Sequence, residues 1–79
     1  MKKYSYDIYN QFGRVQGGGL TEDAYNETLN RKDIQLIKEW KTEYEDKTMF
    51  GKQYKINDNY ILFIWKEIFK RGDLDGINV

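Results

Sequence analysis

The chain contains no cysteine and no histidine. Without cysteine there is neither a disulfide framework nor a thiolate metal site. Without histidine the commonest ligands for zinc, copper and iron are also missing, and only carboxylate oxygens suited to magnesium, calcium or manganese remain. The same two gaps exclude the usual Ser-His and Cys-His nucleophile pairs. Paired acids are present, but glycoside-type hydrolysis places two carboxyls across a substrate cleft, which so thin a domain rarely forms. The expectation is a protein that is not an enzyme and uses neither a metal nor a cofactor.

Proline is absent and alanine occurs once, whereas Lys, Asn, Ile and Tyr are abundant. This bias points to an AT-rich genome, such as a bacterium of low GC content or one of its phages or plasmids. Long apolar runs are missing as well. The longest, Tyr60 to Trp65, falls far short of the roughly 20 residues that span a bilayer. The opening Met1-Lys2-Lys3-Tyr4-Ser5-Tyr6-Asp7 reaches an acid where a signal peptide would become apolar. A cytoplasmic protein without membrane contact is expected.

What is present is area and charge. Seventy-nine residues make a single domain, 1–79, whose core must be thin. Seven Tyr, four Phe and two Trp supply large side chains to fill it. Net charge is zero but unevenly distributed: residues 21–46 carry eight acids and four bases, and residues 47–72 carry six bases and two acids. Such asymmetry bears on partners and steering rather than on fold.

Tyr4 to Tyr9 alternate as in a half-buried strand, and Asn10 to Gln16 form a short returning strand. Gly17-Gly18-Gly19 reads as a flexible break. Leu20-Thr21-Glu22-Asp23 has the form of a helix start with Thr21 as N-cap, and the helix is expected to run to about Arg31. Asp33 is placed to cap a second helix, in which Ile34, Ile37, Trp40, Lys41 and Tyr44 fall at helical spacing and which ends near Gly51. Lys52–Ile56 and Tyr60–Trp65 form a hairpin around Asn57-Asp58-Asn59, favoured over a helix because Leu62 and Phe63 would complete an apolar girdle. Residues 73–79 have no pattern and read as a loose tail. The predicted fold is α+β: a small antiparallel sheet of about three strands covered on one face by two helices.

Three candidate sites follow. On the second helix Glu39, Glu43 and Asp46 would share one face at i, i+4 and i+7, a like-charge row that folding alone does not ask for. A line of carboxylates can imitate phosphates and occupy a basic groove. The expected function is thus a small protein-binding module: an inhibitor encoded by a phage or mobile element, of anti-restriction or anti-CRISPR type, that occupies a host nucleic-acid-handling protein. The alternative is direct binding of single-stranded nucleic acid. There Lys52, Lys55, Lys66, Lys70 and Arg71 interleave with Tyr54, Tyr60, Phe63, Trp65 and Phe69. A third candidate is self-association through Trp40, Tyr44 or Phe63. The glycines of 13–19 lack the Lys-Ser or Lys-Thr that completes a P-loop, and Asp73-Leu74-Asp75-Gly76 is too short for an EF-hand loop.

Overall fold

A computed structural model describes residues 1–70. The chain runs β1 (Lys2–Asn10), β2 (Gly13–Leu20), α1 (Glu22–Leu29), β3 (Gln35–Glu43), β4 (Lys47–Asn57) and β5 (Tyr60–Phe69). The strands form one antiparallel sheet in the order β2-β1-β5-β4-β3. This corrects the α+β expectation: among the described residues there are five strands instead of three, and one short helix instead of two.

Two local signals act as expected, and a turn after β1 adds a third. Thr21 caps α1, its Oγ1 accepting from the Ala24 N–H at 3.1 Å, with Glu22 and Asp23 favourably placed in the first turn. Asn57 Oδ1 accepts from Asn59 N–H at 2.7 Å and closes the β4–β5 turn. Asn10 Oδ1 likewise accepts from Phe12 N–H at 2.8 Å, and Gly13 follows at φ 128°, a conformation that a side chain would resist.

Two elements differ. The segment expected to be the second helix is β3, an edge strand paired with β4 from Gln35↔Lys55 to Glu43↔Thr48. Its apolar residues have helical spacing, but a helix there would satisfy only its own backbone. As a strand, the segment completes the hydrogen bonding of β4, which would otherwise be an unpaired edge. The glycine run also does not break the chain. Gly17, Gly18 and Gly19 lie within β2, opposite Asp7, Tyr6 and Ser5.

Alternation divides the sheet into two faces. Tyr4, Tyr54, Leu62 and Ile64 point to one side, where Tyr25 of α1 joins them as the buried core and Tyr6, Ile8, Leu20, Leu29, Ile34 and Ile56 pack around it. The Tyr4 and Tyr25 rings lie 4.7 Å apart between centroids. Each fully buried Leu or Ile is worth about 1.5 to 3 kcal/mol. One helix is too short to cover five strands, and no helix covers the opposite face among the described residues.

Candidate functional site

The helix-free face is built from the odd-numbered residues of β1, β4 and β5 and, after a bulge that leaves Leu36 opposite Tyr54 on the helix side, the even-numbered residues of β3 from Lys38 onward. Reading across the paired strands, one row runs Gly19, Ser5, Trp65, Gly51, Trp40, and the next runs Gly17, Asp7, Phe63, Gln53, Lys38. Tyr9 and Ile61 open a third row beside Lys55. Together Asp7, Tyr9, Trp40, Met49, Phe63 and Trp65 line an open depression of about 510 Å³.

The rings are held against one another. Tyr9 meets Phe63 edge-on, with centroids 5.6 Å apart and planes at 90°, and Trp40 meets the other side of Phe63 at 6.5 Å and 64°. Such tilted pairs suit the ring quadrupole and contribute about 0.5 to 1.5 kcal/mol each. Gly51 makes room for the arrangement: a Cβ there would run into the Trp40 indole. None of the four rings is fully buried, so each keeps surface for a ligand.

Charge borders the depression. Arg14 Nε donates to Asp7 Oδ1 at 2.9 Å. At the other end Lys47 Nζ donates to the buried Glu67 at 2.5 Å and lies 5.6 Å from the Phe69 ring centroid and 5.5 Å from that of Tyr44. The hydrogen bond to Glu67 holds the Lys47 ammonium above its ordinary pKa, against the opposing effect of desolvation. Strand registers add Lys3, Lys38 and Lys55 to this face. Lys55 pairs with Asp58 at 3.3 Å, whereas Lys3 and Lys38 have no ion-pair partner among the described residues.

The residues singled out from sequence are dispersed. Glu39 and Glu43 lie on a strand, about 13 Å apart at some 3.3 Å per residue, and Asp46 lies outside it, in the connection to β4. The acidic helix does not exist. Glu39 accepts from Lys52 at 2.6 Å, and Glu43 accepts from the Thr48 hydroxyl at 2.8 Å with Lys41 and Lys70 close by. The Thr48 hydrogen bond, with those cations, holds the Glu43 carboxyl below the usual range. These acids are therefore engaged in cross-strand contacts.

The basic set is divided too. Lys52 and Lys66 are on the helix side, opposite Ile64 and Phe50, and Lys66 lies 5.3 Å from the Phe50 ring centroid. Lys70 donates to the Tyr44 carbonyl at 2.8 Å. Of the four that are described, Lys55 alone is placed on the aromatic face. Arg71 and the 73–79 tail lie outside the described residues. Of the self-association candidates, Trp40 and Phe63 do meet. Sequence reasoning missed Asp7, Tyr9, Arg14, Lys38 and Met49 as neighbours of this surface. The available signal was the alternation in β5, where Ile61, Phe63 and Trp65 oppose buried Leu62 and Ile64.

Among the described residues, no group of three or more His, Cys, Asp or Glu is placed to hold a metal ion, and no helix is long and apolar enough to cross a membrane. No protein-family model, curated protein or solved structure matches this chain.

Proposed function

We propose that the open face is a platform for single-stranded nucleic acid, acting in the cytoplasm. The observation that carries the reading is the cluster of four partly exposed rings, Tyr9, Trp40, Phe63 and Trp65, brought from three strands onto one uncovered sheet face. Unpaired bases present two π-faces and stack on such rings, with about 1 to 3 kcal/mol per base at stake. A duplex hides those faces, so single strands are the better fit. The cations are suitably placed: Lys3, Arg14, Lys38, Lys47 and Lys55 belong to this face, against the carboxylates Asp7 and Glu67 on its strands and Asp58, which pairs with Lys55, in the β4–β5 turn. The zero net charge of the chain therefore conceals a cationic face.

An inhibitor acting through an acidic helix has lost the element it required. A protein partner for the aromatic face is an outcome that the test separates. Titrating the protein with single-stranded oligonucleotides at low salt is expected to quench Trp40 and Trp65 fluorescence, with an affinity that falls as salt rises. Absence of any change with DNA or RNA single strands would remove the reading and leave the face to a protein.

A further inference from the structure

We infer that the Asp7–Arg14 pair makes this platform selective for guanine. The inference rests on the nucleic-acid reading above and names the base it favours. Asp7 is the one charged side chain among the six that line the depression. Folding gives little reason for it. Aspartate is disfavoured inside strands, and its ion pair with the exposed Arg14 side chain is of the solvated kind that contributes little.

The pair is nevertheless specifically accommodated. Asp7 stands opposite Gly17, and a Cβ at position 17 would collide with both Asp7 Oδ1 and the Arg14 guanidinium. The bare backbone of β2 thus lets the guanidinium reach the carboxylate. Arg14 Nε occupies one lone pair of Oδ1, and Oδ2 takes no side-chain donor among the described residues. Next to Phe63 and Tyr9 the site therefore offers a carboxylate acceptor edge and, on the guanidinium bonded to it, spare N–H donors.

Only guanine matches that edge. Its N1–H and N2–H2 are adjacent donors that two carboxylate oxygens can accept together, and its O6 accepts from the remaining guanidinium N–H groups. Cytosine and adenine present a single exocyclic amine to a carboxylate. Thymine and uracil present one N–H flanked by two carbonyls, which a carboxylate repels. A good bidentate contact discriminates by about 5- to 150-fold.

Fluorescence titrations of the full chain with the octanucleotides (TG)4, (TC)4, (TA)4 and T8 test the proposal. The (TG)4 strand is expected to bind about 10-fold or more tightly than T8. In the D7N variant, with folding checked by circular dichroism, the ratio of (TG)4 to T8 affinity is expected to fall to near one. If the parent binds all four strands within twofold, or if D7N keeps the preference, guanine selectivity through Asp7 is wrong while the stacking platform stands. If none of the four binds, both readings fall. The four-strand comparison on the parent protein needs no variant and decides the matter even if D7N does not fold.

Discussion

Trp40 on β3 lies against Gly51, its directly paired neighbour on β4, in the space that a side chain at position 51 would occupy. The edge strand and the floor of the depression are thereby locked together through one missing methyl group. Replacing Gly51 with Ala is expected to displace the indole and destabilise the protein by about 1 to 3 kcal/mol, as overpacking does. The denaturant midpoint and the Trp emission maximum would both move. An unchanged midpoint would show that the ring sits elsewhere.

The ring cluster makes a separable prediction about binding. Trp65→Ala and Phe63→Ala are each expected to weaken single-strand affinity by about 1 to 3 kcal/mol. Phe50→Ala, on the helix side of the sheet beside Lys41 and Lys66, is expected to leave affinity unchanged. Equal losses from all three would mean that the sheet is merely being destabilised.

Helix α1 depends on its cap. Thr21→Ala removes the acceptor for the Ala24 N–H and is expected to lower stability by about 1 kcal/mol. Thr21→Asp restores an acceptor and adds favourable charge at the helix N-terminus, so it is expected to recover most of that loss. Thermal melts of the two variants check the order.

Alkaline titration probes the core and the Lys47 pair together. Burial raises the pKa values of Tyr4 and Tyr25, with Glu22 adding to the effect at Tyr4, and the Glu67 hydrogen bond raises that of Lys47. In each case the folded chain holds its proton more tightly than the unfolded one. Their stabilisation is accordingly complete below the ordinary tyrosine and lysine values of 10.0 and 10.5 and is lost as pH rises through the higher folded values. Stability is expected to decline above about pH 10, with two tyrosines ionising late in the tyrosinate absorbance. Ionisation of Tyr4 and Tyr25 at the ordinary tyrosine value in the folded protein would contradict their burial.

Lys47 also neutralises a buried acid. Lys47→Met leaves the Glu67 carboxylate, 8% exposed, without its cation, whereas Lys41→Met removes half of an exposed pair. The first change is expected to destabilise clearly more than the second. Chemical denaturation of both variants at neutral pH ranks them.

How far the sequence could be read depended on how local the controlling physics was. The β1 alternation, the Thr21 cap and the Asn57-Asp58-Asn59 turn all act through near neighbours, and each was legible. Segment 35–43 was not. Its side chains are mostly exposed, so burial leaves little period-2 trace, while Ile34, Ile37, Trp40 and Tyr44 happen to share a helical face. The same error created the acidic row, because residues 39 and 43 are neighbours on a helix and far apart on a strand. Gly17 and Gly51 read as breaks for a related reason: a glycine that makes room for another strand's side chain looks, along the chain, like one that ends an element.

By itself the sequence determined that this chain draws on large aromatic side chains for packing area, that it lacks thiol and imidazole chemistry, and where the Thr21 helix cap and the Asn57-Asp58-Asn59 turn fall. Tertiary structure alone decided which aromatics are core and which are surface. That choice depends on strand register, and moving a register by one residue would exchange the two faces of a strand. Pairing between β1 and β5, which are distant in sequence, places Asp7 beside Phe63 and leaves the second aromatic face open.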